Sequence, residues 1–262
     1  MIVMCAIMLY PVAWMVMSSF KPNTEIFSDP GLIPHSPTLR NYVEGWTANG
    51  SFARMLLNSL LISLLSVAGN VAACSLAAYA FARLDFALRN LWFAVMLGTV
   101  MLPFQITSVP QYVLFSKLGW INTILPLVVP RFLATDAFFI FLMVQFIRSL
   151  PRDLDDAAKV DGCGPFGIFF RIVLPLLLPA LATTAIFSFI WSWNDFLGPL
   201  LYLTVPDTYT VPIGLNSFLD SSGDSAWGQL FAMSTISLAP LFGFFIAAQK
   251  YLVQGIATTG IR

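Results

Sequence analysis

A chain of 262 residues that is 58% hydrophobic and only 10% charged, with a mean hydropathy of +0.81, lies far outside the range of a water-soluble domain and reads as a polytopic membrane protein. Thirteen basic against thirteen acidic residues leave no net field that would draw nucleic acid. Cys5, Cys74 and Cys163 are isolated and His35 is the sole histidine, which argues against a zinc site or a disulfide framework.

Met1 to Phe20 carries no charge and no basic leader, so it reads as a retained first span rather than a cleaved signal, closed by Lys21-Pro22. The polar, turn-rich stretch to Arg54, with Pro30, Pro34 and Pro37, is an extramembrane loop, and His35 within it reads as a solvated histidine before a catalytic one. Met55 to Ala82 is uncharged and long enough to span with tilt. Its Asn58, Ser59, Ser63, Ser66, Asn70 and Ser75 form a polar stripe. Such groups ordinarily bond a neighbouring helix, and a substrate path is the lesser reading. After Arg83, Asp85 and Arg89 a third span runs from Asn90 to about Val113, where Pro103, Gln105 and Pro110 predict a kink.

A turn through Gly119 with an interfacial Trp120 leads to a fourth span, Leu125 to Ile147, which contains Arg131 and Asp136. Charges there cost about 2.5–3.5 kcal/mol each on insertion scales, so they are expected to face protein or water and to neutralise each other before they contact a substrate. A separation of five residues, however, fits the favoured i,i+4 helical pair poorly.

The next stretch, Asp155 to Pro179, reads DDAAKVDGCGPFGIFFRIVLPLLLP and is the charged, breaker-rich island of the chain. Pro151 suits a first helical turn, and Asp153, Asp155 and Asp156 follow where the helix dipole favours negative charge. Leu154, Ala157 and Ala158 are expected on one face. Gly162 can close that helix in the left-handed conformation, and Pro165 starts another. In the second helix Phe166, Phe169, Phe170 and Val173 are expected to form one apolar face. Pro175 and Pro179 then interrupt the climb into the next span.

The run Asp156-Ala157-Ala158, then Lys159-Val160-Asp161, Gly162 and a later Leu174-Pro175 resembles the signature loop of the membrane-spanning subunits of bacterial ABC importers. Two positions depart from that signature: Asp156 stands for the usual glutamate and Cys163 for a smaller residue. The resemblance implies a cytoplasmic coupling helix that docks on a separate ATP-hydrolysing subunit, with Asp156, Ala157, Ala158, Asp161, Gly162, Cys163 and Pro175 as the coupling residues.

Leu176 to about Leu203 forms a fifth span, in which a helix from Pro179 rises roughly 24 Å to Asp195, placing it in the outer half of a membrane. Trp191, Trp193, Asn194 and Asp195 there suit sugar rings and hydroxyls along a translocation path. The same residues equally serve as interfacial anchors and helix pins, which is the reading slightly preferred. Thr204 to Ala226 is a loop with Asp207, Asp220 and Asp224 and no basic residue. Gln229 to about Tyr251 is a sixth span broken by Pro240, with a tail to Arg262.

Four further segments resemble the carbohydrate-uptake class of ABC permeases: Pro37 to Tyr42, Leu102 to Pro130, Trp193-Asn194-Asp195-Phe196, and Tyr209 to Leu215. The resemblance covers essentially the whole chain and implies an all-α membrane protein, a single transmembrane domain over 1–262. It also implies six transmembrane helices with the coupling loop between helices 4 and 5, and both termini cytoplasmic in the bacterial inner membrane. It implies as partners a second related permease subunit, two ATP-binding subunits, an extracytoplasmic solute-binding protein and membrane lipid, with no nucleic acid. No G-x-x-x-x-G-K-[ST] occurs here, so no cofactor is expected in this chain, and ATP and Mg belong to the partner ATPases. Independently, placing the loop inside puts Arg83, Arg89, Arg148, Arg152, Lys159, Arg171, Lys250 and Arg262 in the cytoplasm, against Lys21, Arg40, Arg54 and Lys117 outside. A stand-alone ion-coupled carrier that titrates Asp136 and Asp195 is the alternative from another class, and a membrane enzyme lacks a nucleophile or metal motif.

Overall fold

Uncharged apolar runs form helices throughout; some prolines fall at their breaks, whereas Pro11, Pro110 and Pro240 lie inside helices, so the sixth span, expected to break at Pro240, is continuous there. The structure, a computed structural model, describes residues 2–48, 51–219 and 225–259. Asp220, Asp224 and Arg262 lie outside them. In chain order the helices are α1 (Ile2–Ser18), α2 (Asn23–Ser28), α3 (Arg40–Thr47), α4 (Phe52–Arg83), α5 (Arg89–Thr99), α6 (Phe104–Lys117), α7 (Leu125–Val128), α8 (Ala137–Ser149) and α9 (Asp153–Val160). They continue with α10 (Pro165–Ile168), α11 (Leu174–Leu176), α12 (Leu178–Trp193), α13 (Leu197–Tyr202), α14 (Val211–Asn216) and α15 (Trp227–Thr259). No strand occurs among the described residues.

By length and composition α4, the Leu125–Ser149 segment and the Trp227–Tyr251 part of α15 suffice to cross a membrane. Two bent pairs each qualify as a further broken span, α5 with α6 at 100° and the Pro165–Leu176 segment with α12 at 74°. The bend expected in the third span falls at Pro103, which precedes α6, while Pro110 sits within α6 without ending it. Proline forces the residue before it out of helical geometry, which is why the break comes there. α6 closes through Gly119 at φ +69°. Trp120 N–H donates to the Phe115 carbonyl at 2.9 Å and the two rings stack 5.5 Å apart, the apolar contact that accompanies a glycine-closed helix end.

The fourth segment is not one helix. Between α7 and α8 runs a 3₁₀ turn, Val129–Leu133, followed by Ala134 at φ +53°. Pro130 has no N–H to give, and its ring crowds the carbonyl four residues back. This changes the expectation for Arg131 and Asp136. A separation of five was read on an α-helical ladder, but the non-helical backbone folds them together, with Nη1 to Oδ2 at 2.6 Å.

Residues 1–61 and 193–243 form one compact unit. The segment after α1, legible only as a polar loop, is built around Lys21, which is fully buried. Its ammonium donates to the Asp29 carbonyl at 2.7 Å and the Gly31 carbonyl at 2.5 Å. Asn41 Nδ2 donates to the Ser19 and Lys21 carbonyls, each at 2.8 Å. Carbonyl acceptors thus replace water around a desolvated charge. His35 stays exposed beside Asp29 at 2.8 Å, in keeping with a solvated histidine. Asn58 and Ser59 of the polar stripe serve this unit. Asn58 Nδ2 donates to the Asp207 and Tyr209 carbonyls at 3.0 Å, and Ser59 Oγ accepts from Val211 N–H at 2.8 Å.

Residues 62–192 and 244–262 form the second unit. Its core joins Cys74, Ala78, Tyr79 and Ala82 of α4 to Phe139, Ile140, Met143, Val144 and Ile147 of α8, with Ile168, Phe169, Val173 and Leu177 from the segment that leads into α12. Small residues on α4 let the aromatic and branched side chains of α8 approach closely.

Candidate functional site

α9 begins with three aspartates in its first turn and ends on Lys159, the charge order that a helix dipole favours. Its end follows from Gly162. That residue stands at φ +81°, its N–H donates to the Lys159 carbonyl at 3.0 Å, and Cys163 N–H reaches back to the Ala158 carbonyl at 2.9 Å. These two bonds make a Schellman closure, which needs a left-handed residue at this position. Cys163, half-buried, is the residue just beyond it.

The burial of α9 differs from the expected face. Asp155 and Ala158 turn inward, whereas Leu154, Asp156, Ala157, Lys159 and Val160 are exposed. Leu154 and Ala157 therefore stay exposed at the rim of the side on which Ala158 is buried. A charged residue takes the inward place because it has a partner there. The aromatic face of the following segment splits as well. Phe169 and Val173 are buried, while Phe166 is 74% and Phe170 56% exposed. The buried pair and the exposed pair are two neighbouring i,i+4 rows, of which only the Phe169–Val173 row meets the core, and a π turn covers Phe169–Val173.

Asp155 pairs with Arg83 at the end of α4, Nε to Oδ2 at 2.9 Å, with side chains 5% and 10% exposed. The approach lies off the line of a hydrogen bond. Arg83 Nη2 also donates to the Leu150 carbonyl at 2.9 Å. One turn earlier on α4, Tyr79 OH donates to the Pro165 carbonyl at 3.1 Å. A cavity of about 270 Å³ lies among these groups, lined by Tyr79, Arg83, Asp155, Lys159, Cys163 and Ile168. The sequence alone did not single out Arg83 and Asp155 as an ion pair. An arginine closing a span looks like an interfacial charge, and Asp155 stands among neighbouring aspartates that face solvent.

On the outer side Asp156 pairs with Lys159 at 2.9 Å, both exposed. The Lys159 hydrogen bond and charge hold the Asp156 carboxyl below its ordinary 3.8, and Asp156 in turn raises the Lys159 ammonium above its ordinary 10.5. A depressed carboxyl adds stability above its unfolded value and loses it as pH falls through the lowered one. A raised ammonium adds stability below its ordinary value and loses it as pH rises through the raised one. The pair is therefore constant across neutral pH and contributes little, since water screens it. Lys159→Gln is expected to return Asp156 to an ordinary carboxylate titration, followed by carbon NMR of the labelled carboxyl. An unmoved titration would show that another group holds Asp156.

Asp161, Gly162 and Pro175 are exposed, Pro175 on the climb to α12. Trp191 and Trp193 stand two residues apart on α12, about 200° around the helix, so they take different faces. Trp193 is buried, whereas Trp191 is half exposed and packs its ring 5.1 Å from Phe139 and 5.5 Å from Phe138. Asn194 is exposed. Asp195 Oδ1 accepts Gly198 N–H at 3.1 Å, at the start of α13.

Within the second unit, Asp136 is a polar hub. Its Oδ2 accepts from Arg131 and, at 3.2 Å, from Asn70 Nδ2, which also donates to Ser188 Oγ at 2.9 Å. Gly69 permits this approach, since a Cβ there would stand 2.8 Å from the Phe132 ring and 3.0 Å from the Arg131 backbone.

The chain as a whole is similar to known proteins. Residues 69–258 match the family described as the binding-protein-dependent transport system inner membrane component. The chain belongs to that family. This inner membrane component is 35% identical to the probable ABC transporter permease protein YurM of Bacillus subtilis, over 97% of this chain and 83% of that protein. It is 36% identical to the arabinooligosaccharides transport system permease protein AraQ of Halalkalibacterium halodurans, over 98% and 92%. It is also 36% identical to the trehalose/maltose transport system permease protein MalG of Thermococcus litoralis, over 100% and 94%. Its fold matches a chain of a bacterial ABC transporter involved in import of the acidic polysaccharide alginate, with a TM-score of 0.82 at 18% identity, over 95% of this chain and 92% of that one. The inner membrane component is accordingly a multi-pass permease with the fold of an ABC importer.

Proposed function

We propose that this chain is the membrane-spanning permease subunit of an ATP-driven importer of sugars or related solutes, forming half of a translocation path. The observation that carries the reading is α9, a short helix exposed on its Leu154, Ala157 and Val160 side and held by its Asp155 side against α4. An exposed apolar strip on a braced helix suits docking into another protein's groove. In this reading α9 enters an ATPase subunit, with Asp156, Ala157, Ala158, Asp161, Gly162, Cys163 and Pro175 as the coupling segment. α1 serves as the first of six crossings of one transmembrane domain over 1–262, and the α9 loop and both termini lie in the cytoplasm. The complex adds a second related permease, two ATP-binding subunits that hold ATP and Mg, an extracytoplasmic solute-binding protein and surrounding lipid.

The substrate class rests on relatives named for arabinooligosaccharides, trehalose and maltose, and diacetylchitobiose. Trp191, Trp193, Asn194 and Asp195 are the residues assigned to the path. An ion-coupled carrier would need a free intramembrane acid, and Asp136 is already engaged by Arg131 and Asn70.

Reconstituting this chain in proteoliposomes with a partner permease, ATPase subunits and binding protein is expected to give oligosaccharide uptake that requires ATP and all partners. Solute exchange by the purified chain alone would overturn the reading in favour of a carrier.

A further inference from the structure

We infer that the Arg83–Asp155 pair is the joint that delivers movement of α9 to α4, making Arg83 and Asp155 positioning residues for transport. The inference rests on the reading of α9 as the docking helix. Two routes lead from α9 to the rest of the second unit. The covalent route passes Gly162 at φ +81°, Gly164, the π turn at Phe169–Val173 and a 74° bend before α12. Each of these is a place where a push is absorbed as rotation.

The other route is short. The last turns of α4 hold the loop at three points: Leu150 before α9 and Asp155 within it, both through Arg83, and Pro165 after it through Tyr79. α4 runs from Phe52 to Arg83 with no proline. About 20 Å up that helix from Arg83, at 1.5 Å per residue, Asn70 bonds both Asp136 and Ser188. A displacement of α9 thus reaches the membrane interior along one unbroken helix.

Burial sharpens the argument. A desolvated ion pair adds little net stability compared with an apolar pair, yet losing one partner is costly, so such a pair fixes geometry more than it stabilises. Glutamine at 83 or asparagine at 155 keeps the shape and removes the charge.

The test uses the reconstituted complex and reads solute transported per ATP hydrolysed, together with co-purification of the ATPase. A loss that is only structural lowers both rates together and leaves their ratio unchanged. Arg83→Gln and Asp155→Asn are each expected to lower the ratio about tenfold while the complex still co-purifies, and the charge exchange Arg83→Glu with Asp155→Arg to restore it to within about threefold. An unchanged ratio in both single variants overturns the joint, as does an exchange variant no better than the singles. If the charge-reversed chains fail to accumulate, the Gln and Asn variants decide on their own. If the unaltered chain neither co-purifies with an ATPase nor shows solute-stimulated hydrolysis, the docking reading falls and takes the joint with it.

Discussion

Gly162→Val is expected to abolish solute uptake while leaving the chain inserted in the membrane. The cause is backbone conformation, because a Cβ at this position would meet nothing within 4 Å. At φ +81° an L-residue pays about 1–2 kcal/mol, and a β-branched side chain more. Valine relieves that strain by leaving the left-handed region, which breaks the Gly162 to Lys159 and Cys163 to Ala158 bonds. α9 then frays at its end and the chain leaves it in another direction, so a docked ATPase pushes against an unlocked helix. Asparagine, which tolerates this conformation, is expected to keep most of the transport, and alanine to fall between. The measurement is uptake in membrane vesicles, normalised to inserted protein. Valine transporting with unchanged coupling would show that α9 does not act as a rigid unit.

The apolar runs and their breakers were legible because each depends on local chemistry. Pro103 marks the broken third span, and Gly162 marks the end of α9. What stayed hidden depends on partners that only folding brings near. Nothing in the order of residues says that Lys21 would be buried under two carbonyls, or that Asp155, among several aspartates, would meet Arg83 from 72 positions away. The faces of α9 and of the Phe166–Val173 segment were misjudged for two separate reasons. In α9 an ion pair outcompeted leucine for the inward place. In the second segment only the Phe169–Val173 row meets the core, and the neighbouring Phe166–Phe170 row stays exposed. The residues proposed for the path, Trp191, Trp193, Asn194 and Asp195, stand together in sequence, but the helix sends Trp191 and Trp193 to different sides.

The pair Arg131–Asp136 shows the same limit, and breaking it is expected to lower stability. Asp136→Ala removes the acceptor shared by Arg131 and Asn70. The pair is only partly buried, with side chains 37% and 19% exposed, so breaking it is expected to cost less than the ~3–5 kcal/mol of a fully buried pair, Arg131 keeping part of its desolvation without its partner. Asn70 loses one bond but keeps Ser188, so the guanidinium dominates the cost. Arg131→Ala with Asp136→Ala removes both charges, and most of the stability is expected to return although one more group has been deleted. In detergent-solubilised protein the single variant is expected to lower the thermal midpoint by about 5 °C, and the double variant by less than half of that. Equal losses would show that Asp136 acts through Asn70 rather than through Arg131. The double variant also bears on mechanism: in a permease driven by a separate ATPase, an Asp136 that only neutralises Arg131 is dispensable once Arg131 is gone. Transport that survives the double deletion but not the single one therefore assigns Asp136 to holding the non-helical turn at Val129–Leu133 against α4. Transport lost in both would make its carboxylate itself part of the path.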